Sequence, residues 1–334
     1  MKNKVDKPKM SSSQLIYQKC AEKGITFKYI SQKQAISYIQ EKNNFLRMMS
    51  YRKNYRKHEV GKGNSDHYIN LDFAYLYELS IIDMHLRNIV SRMCSDIEHS
   101  LKVSLVAAIE KDINQDGYTI VENYINTMSS VRRKGFLDNL VRKSFSAYTG
   151  LLMKKNFKIE NPKERRCITT LAYDDCPAWV FVEILTLGEF IDFLNYCADL
   201  NLVATIDNKI LRQTKSLRNA CAHNNCLLVD LKPQLGNAAP RKIFDEILQI
   251  EEISKKQRTK KLRNRFLAEF TSLIYTYSKV VDVPVKTHRV RELNEFLTGR
   301  MLEKKAFFLK NEILTSAYDF VVKIVNHFFL LKGS

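Results

Sequence analysis

The stretch 211–228 concentrates the side chains with the greatest chemical capacity. It reads LRQTKSLRNACAHNNCLL and holds Arg218, Asn219, His223, Asn224 and Asn225. An imidazole can accept or donate a proton near neutral pH. A guanidinium is a permanently charged, forked donor that matches phosphate oxygens, and amides can orient the imidazole or bind substrate. This combination suits metal-independent cleavage of RNA through the ribose 2′-OH, with the arginine stabilising charge on the phosphate.

The R-x4-H spacing leaves a second interpretation open. On an α-helix, Asn219 and His223 share a face, whereas Arg218 and His223 are about 140° apart. A histidine and an arginine at a helix end also serve simply to cap exposed carbonyl groups and complement the helix dipole. Two other Arg–His pairs occur in the chain at slightly longer spacings. Spacing alone therefore does not decide between catalysis and capping.

We predict no metal site and no other cofactor for this chain. Cys221, His223 and Cys226 form a C-x-H-x2-C pattern that lacks a fourth ligand at a familiar distance. The chain has 7 cysteines and no CxxC pair, which favours free thiols in a reducing, cytoplasmic setting. The basic N-terminus lacks the apolar segment of a secretory signal, and no uncharged apolar run reaches about 18 residues. We therefore predict no membrane association.

Composition indicates an all-α protein with a polyanionic partner. The 334 residues include only 10 Gly and 6 Pro, too few for the many turns of a sandwich or barrel. Long periodic stretches rich in Leu, Ile, Lys and Glu favour helices. Lys and Arg number 54 against 36 Asp and Glu, a formal net charge of +18. Such an excess favours nucleic acid through counterion release, although a generally basic protein is the alternative.

The elements that must position the 211–228 stretch follow from periodicity. The longest helix is predicted over 71–111, and Ser31 is the expected N-cap of an early helix. Further helices are predicted over 118–155 (one or two), 176–197, 241–281 and 287–331 (one or two). We divide the chain into a flexible basic tail (1–13), an N-terminal helical extension (14–70), a helical core (71–230) and a C-terminal helical extension (241–334).

Three basic clusters, in residues 43–58, 132–155 and 255–265, are candidate RNA-binding surfaces. In residues 43–58 two tyrosines alternate with cations, and such a mixture can stack on bases while holding phosphates. The alternative is a solvated helix edge anchored by the two tyrosines. Residues 255–265 form the densest basic run, which is either an RNA-facing surface or a solvated face. The predicted RNA-binding residues are Arg47, Tyr51, Arg52, Lys53, Tyr55, Arg56, Lys57, Arg132, Arg133, Lys255, Lys256, Arg258, Lys260, Lys261, Arg263 and Arg265.

Four segments, taken in order, resemble a known family. They are NNFLRMMSYRKNY, then YLYELSIIDMHLRNIV followed by IEHSLKVSL, then PAWVFVEILTLGEFIDFL, and finally LRNACAHNNCL. Together they resemble the Asn-Tyr-Tyr-Arg-like turn, the long helix, the Pro-x-Trp and Leu-Thr-Phe-Gly segment, and the Arg-Asn-x-x-Ala-His signature of the Abi-like abortive-infection proteins of bacteria. The resemblance covers residues 15–228 and points to the AbiD/AbiF type within the HEPN superfamily.

The resemblance implies a fold and a site. The fold is a four-helix HEPN core elaborated with additional N- and C-terminal helices. Arg218 and His223 are implied to be the R-x4-H pair of a metal-independent endoribonuclease, in which a homodimer places two motifs face to face. Asn219 matches the polar residue after the arginine. Glu98 matches an acidic position on the long helix that orients the motif.

Two positions depart from the family pattern, and two functional expectations follow. Asn224 stands where the family often has a second histidine, and Leu187 replaces the usual aromatic before Gly188. The resemblance implies anti-phage defence by a ribonuclease that leaves a 2′,3′-cyclic phosphate and binds a structured non-coding RNA. The alternative is a catalytically silent scaffold in a ribonucleoprotein. A toxin neutralised by a protein antitoxin is less favoured, because it leaves the basic surface without a use.

Overall fold

The computed structural model describes residues 9–59, 61, 66–142, 147–156, 158–159, 171–172, 176–204, 206–234 and 238–329. Residues 1–8 of the predicted tail lie outside the described residues.

The prediction of an all-α fold is confirmed. The α-helices are α1 (Ser12–Gln14), α2 (Gln32–Glu41), α3 (Phe45–Ser50), α4 (Phe73–Lys111), α5 (Thr119–Asn126), α6 (Ser130–Arg142), α7 (Ala147–Asn156), α8 (Ala178–Ile184), α9 (Leu187–Asp199), α10 (Asn208–Ala222), α11 (Arg241–Ile247), α12 (Lys255–Lys261), α13 (Arg265–Val280), α14 (Val283–Glu295) and α15 (Glu312–Phe329). Short π-helical or 3₁₀ segments span Leu15–Cys20, Ala21–Lys23, Tyr51–Asn54, Phe296–Arg300 and Lys305–Phe307. Two short strands, β1 (Lys158–Ile159) and β2 (Leu171–Ala172), pair antiparallel, with Lys158 opposite Ala172.

The chain forms two compact units. The first unit comprises Met1–Cys94 and Ser216–Ser334, and the second unit comprises Ser95–Lys215. The predicted segments 14–70 and 241–334 thus both belong to the first unit, and the predicted core 71–230 contributes to both. The division into extensions and a HEPN core stays a prediction.

The predicted longest helix is confirmed as α4, which has 39 residues. Its apolar residues recur at helical spacing, and those in the first unit, such as Phe73, Leu76 and Ile82, are almost fully buried. The predicted cap of α2 is also confirmed. Ser31 accepts a hydrogen bond from the Gln34 backbone, and the Gln34 side chain accepts one from the Ser31 backbone.

Several helices predicted as continuous are broken by caps. The predicted helix over 176–197 ends at Ile184, because Leu185 is extended and Thr186 begins α9 in a capping box with Glu189. The predicted helix over 241–281 is three helices, since the side chains of Ser254 and Asn264 cap α12 and α13. Within 118–155, α5 ends at Asn126 and α6 begins at Ser130, so among the described residues this stretch is not one continuous helix.

Each unit has an aromatic core. In the first unit, four rings are at most 1% exposed: Phe73, Phe270, Tyr277 and Phe320. In the second unit, the rings of Phe181 and Phe193 lie 5.0 Å apart in an edge-to-face arrangement. Large buried rings of this kind dominate core stability.

Candidate active site at the end of helix α10

Helix α10 delivers the predicted catalytic residues to an exposed helix end. The backbone N–H of Asn225 donates to the Ala220 carbonyl at 2.8 Å, and that of Asn224 donates to the Cys221 carbonyl at 2.9 Å. Asn224 has a φ of 54°, in the left-handed region. These bonds define a Schellman ending with Asn224 at the left-handed position, which asparagine tolerates better than most residues. The departure from the family's second histidine therefore suits this turn.

The motif residues occupy different environments at this helix end. His223 is exposed, and its backbone N–H donates to the Asn219 carbonyl at 2.9 Å. Arg218 and Asn219 are half-buried, and the Arg218 guanidinium donates to the Asn219 side-chain oxygen at 3.4 Å. The imidazole is therefore open to substrate, with the Asn219 amide about one turn before it and Arg218 five residues before it.

Arg47 contacts the backbone just after α10, and its predicted role in RNA binding stays a prediction. Its guanidinium Nη1 donates to the Asn224 carbonyl at 2.6 Å. A second guanidinium, that of Arg87, donates to the Asn225 carbonyl at 3.4 Å. Both arginines therefore hold the backbone just beyond the end of α10. The alternative that Arg218 caps a helix carbonyl stays a prediction.

A buried carboxylate, Asp83, anchors the chain that follows the motif. Its Oδ1 accepts hydrogen bonds from the backbone N–H groups of Leu227 and Leu228, each at 2.8 Å. Its Oδ2 accepts one from the Tyr51 hydroxyl at 3.1 Å and also pairs with Arg87. Burial raises the pKa of Asp83, while Arg87 and the backbone donors act in the opposite direction.

Two charged residues of α4, Asp83 and Arg87, are buried rather than placed at a solvated margin of the helix. Asp83 is fully buried and the Arg87 residue is 7% exposed. They form an i, i+4 ion pair within the apolar face of α4. That spacing of opposite charges amid apolar residues was the available signal for a buried pair.

Two buried amides extend the same support. The Asn54 side chain donates to the Leu228 carbonyl at 2.7 Å and accepts from the Leu231 backbone N–H at 2.8 Å. The Asn264 side chain donates to the Asp230 carbonyl at 2.7 Å. We call residues 227–232 the anchored segment, because Asn54, Asp83 and Asn264 satisfy its backbone groups. Buried polar groups that are fully paired rigidify a structure, so the helix end rests on a firm base.

Removal of the Tyr51 hydroxyl tests this support. Tyr51→Phe is expected to lower the free energy of unfolding by roughly 1.5–3 kcal/mol, because a hydrogen bond to a charged group is lost in the core. Urea titration followed by circular dichroism measures the change. Tyr55→Phe is the matched control, since the buried Tyr55 hydroxyl has no well-formed hydrogen bond to the described residues. Equal losses in both variants would contradict the proposed support.

The two tyrosines of the basic cluster 43–58 are core residues. Tyr51 is 1% exposed and Tyr55 is 5% exposed. This placement argues against base stacking by either ring and fits the alternative of two anchoring tyrosines. The cations around them are more accessible: Lys53, Arg56 and Lys57 are exposed, and Arg52 is half-buried. Arg56 pairs with Glu312 at 3.2 Å, and Lys57 pairs with Asp66 at 3.0 Å.

The basic run 255–265 divides into surface and buried cations. Arg258 is 9% and Lys261 is 7% exposed. The Lys261 ammonium donates to the Ser316 hydroxyl at 2.7 Å, and burial lowers the pKa of Lys261 to about 8. Arg265 is exposed and bonds Glu269 at 2.9 Å. The other cations of the run are exposed, namely Lys255, Lys256, Lys260 and Arg263.

The remaining predicted residues lie in the second unit. Glu98 is half-buried and pairs with Lys102 at 3.3 Å, and its role in orienting the motif stays a prediction. Arg132 is exposed, and Arg133 donates to the Asn126 side-chain oxygen at 2.6 Å.

Gly188 lies beside the Lys215 side chain. A Cβ on Gly188 would lie 2.8 Å from Lys215 Cε, near the end of a flexible chain that can move away, so this contact does not by itself require a glycine. Leu187, which replaces the family's aromatic, is 5% exposed and so keeps an apolar residue at a buried position.

A metal site and a membrane-spanning helix each place requirements on the described residues. Across the described ranges, no group of three or more His, Cys, Asp or Glu side chains could hold a metal ion. Among the helices of those same ranges, none is long and apolar enough to cross a membrane.

The helical fold and the Arg–His helix end define an all-α protein with a polar, solvent-open motif on a rigid support. The family model for Abi-like proteins matches residues 38–228, more than half of the chain. The chain therefore belongs to the Abi-like family, and this membership indicates a role in abortive-infection defence. The chain matches no curated protein and no solved structure.

Proposed function

We propose that this protein is a bacterial, cytoplasmic defence ribonuclease of the HEPN type, which binds RNA and cleaves it without a metal. The observation that carries the proposal is the exposed His223 at the end of α10, with Arg218 five residues earlier. The anchored segment supports this helix end through buried side chains, which is how a reacting group is held in place before substrate arrives. The net charge of +18 supports a polyanionic substrate.

In the proposed mechanism, two motifs meet across a homodimer. His223 of one subunit removes the proton from a ribose 2′-OH, and the 2′-oxygen forms a bond to the adjacent phosphorus. The bond from phosphorus to the 5′-oxygen breaks, and the partner subunit's His223 donates a proton to that oxygen. Arg218 holds the phosphate and stabilises its developing charge. The products are a 2′,3′-cyclic phosphate and a 5′-OH.

RNA is held outside the motif by exposed cations, in our proposal. The strongest contributors are Lys255, Lys256, Lys260 and Arg263, which share the exposed part of one basic run. Binding by such contacts weakens steeply as salt rises, because each neutralised phosphate releases counterions. A structured non-coding RNA made near the protein is the proposed resident partner.

The experiment that tests the function has two parts. The protein is purified from a host carrying its native locus, and RNA that stays bound is sequenced. Purified protein is then incubated with single-stranded and hairpin RNA in EDTA, and the ends of any fragments are identified by mass spectrometry. Fragments ending in 2′,3′-cyclic phosphate support the ribonuclease, whereas intact RNA at every protein concentration contradicts it.

The second candidate is a catalytically silent RNA-binding scaffold. One observation favours it: among the described residues, no side chain hydrogen-bonds the His223 imidazole. A general base in an isolated chain therefore lacks the orienting group that such bases commonly have. One discrete RNA on the purified protein, with no cleavage in EDTA or Mg²⁺, would select the scaffold.

A further inference from the structure

A polar pocket in the first unit lies apart from the motif. Its volume is about 560 Å³, and the residues that line it include Tyr29, Tyr55, Arg56, Tyr75, Phe307 and Lys310. We call it the aromatic pocket. Cavities that hold nucleotide-sized ligands typically have volumes of about 300–1,000 Å³.

One wall of the aromatic pocket is a cluster of three rings. The Phe307 ring lies 5.0 Å from Tyr29 and 5.1 Å from Tyr75 between centroids, and the two tyrosine rings are 5.9 Å apart. Tyr29 is 61% exposed, although a ring of this size is usually more buried. Exposed aromatic rings offer a π-face on which any nucleobase can stack.

Cations line the same pocket. Lys28, Arg56 and Lys310 are exposed, and Glu312 is the exposed acid among the described lining residues. The other acid, Asp72, is buried and accepts hydrogen bonds from Thr26 and from the Lys28 backbone N–H. The pocket therefore has an excess of positive charge that suits a phosphate.

The Tyr55 hydroxyl in the pocket wall is buried and poorly satisfied by the described residues. Tyr55 is 5% exposed, and its oxygen makes no well-formed hydrogen bond to a described residue. The Asn311 amide lowers the pKa of Tyr55 by hydrogen bonding, against the dominant effect of burial. The amide nitrogen also donates to the Asn54 carbonyl at 3.2 Å, and the amide oxygen accepts from the Ile313 backbone at 3.1 Å. A poorly satisfied buried hydroxyl is costly, which calls for a hydrogen bond from a ligand.

We infer that the aromatic pocket binds one unpaired nucleotide. The base stacks on the wall formed by Tyr29 and Phe307, and the phosphate sits among Lys28, Arg56 and Lys310. An edge group of the ligand hydrogen-bonds the Tyr55 hydroxyl. A purely apolar ligand would leave the cations and that hydroxyl unmatched. The inference rests on the proposed function in one respect, since it takes the nucleotide from single-stranded RNA.

Binding of two probes tests the inference. Fluorescence anisotropy measures the affinity for a labelled single-stranded RNA hexamer, and calorimetry measures the affinity for adenosine 5′-monophosphate. Tyr29→Ser is expected to weaken both affinities by about 10–100-fold, the usual effect of losing one base–aromatic stack. Tyr17→Ser is the matched control, because Tyr17 is 52% exposed and does not line the pocket. It should leave both affinities unchanged.

Tyr55→Phe separates ligand binding from folding. The substitution deletes a hydroxyl that has no well-formed hydrogen bond to a described residue, so the melting temperature should not fall. Affinity for both probes should fall about tenfold, the cost of one hydrogen bond. Glu312→Gln should tighten phosphate binding, since Glu312 competes for Arg56.

The outcomes distinguish this inference from the proposed function. Tight RNA binding that Tyr29→Ser and Tyr55→Phe both leave unchanged overturns the pocket and leaves the ribonuclease proposal intact. Mononucleotide binding that depends on Tyr29, without RNA binding, supports the pocket and makes a free nucleotide its ligand, while the proposed function fails. If the protein binds neither probe, the inference is overturned.

Discussion

His223→Ala is expected to reduce the rate of RNA cleavage in EDTA by about 10²–10⁴-fold, the usual contribution of a positioned acid–base catalyst. The imidazole is exposed at the end of α10, so the truncation removes chemistry with little change in packing. Single-turnover cleavage of an end-labelled RNA gives the rate. RNA affinity measured in the same buffer should change far less, because most phosphate contacts lie elsewhere in the proposal.

Two variants control this result. His58→Ala removes another exposed histidine of the first unit and should leave the rate unchanged. Arg218→Lys keeps the charge but loses the planar fork, so it should lower the rate while binding is largely retained. Cleavage by His223→Ala at the wild-type rate would falsify the assignment of the motif, and a contaminating nuclease would then have to be sought.

Asp83→Ala is expected to lower the free energy of unfolding by about 3–5 kcal/mol, the range for breaking a buried ion pair. The substitution leaves the Arg87 guanidinium buried without its carboxylate and takes the acceptor from the backbone of Leu227 and Leu228. Chemical denaturation measures the loss. Hydrogen exchange should show that amides of the anchored segment open first.

The double variant Asp83→Ala/Arg87→Met tests the cause. If the cost comes from an unpaired buried charge, removing that charge as well should restore part of the stability. Asp245→Ala, which removes an exposed acid of α11 in the first unit, controls for loss of a carboxylate and should change stability by less than about 0.5 kcal/mol. A loss below about 1 kcal/mol for Asp83→Ala would show that the anchored segment does not depend on this carboxylate.

Local signals predicted part of the fold well. The periodicity of α4 spans many turns, and the capping box at Ser31 is a contact between residues three apart, so both are visible in the sequence. The breaks at Thr186, Ser254 and Asn264 were equally local but lay inside apolar-periodic stretches, where periodicity outweighed the cap signal.

The environments of the charged and aromatic residues depend on distant contacts. Tyr51 can be buried because Asp83, 32 positions away, accepts a hydrogen bond from its hydroxyl. Arg47 is held by a carbonyl 177 positions away. A cluster of tyrosines and cations looks the same in sequence whether its rings face water or the core. The location of Arg218 and His223 at a helix end followed from periodicity, whereas the support beneath them required tertiary structure.

The segment 51–56 has a mechanical consequence. The Asn54 side chain binds the anchored segment, while Asn54, Tyr55 and Arg56 all line the aromatic pocket. The same short stretch of backbone therefore contacts both the anchored segment and the aromatic pocket. A ligand whose binding shifts the backbone of residues 54–56 therefore also perturbs the hydrogen bonds from Asn54 to Leu228 and Leu231. Coupling of this kind is reciprocal, so a substrate that shifts the anchored segment would change the affinity of the pocket by the same factor.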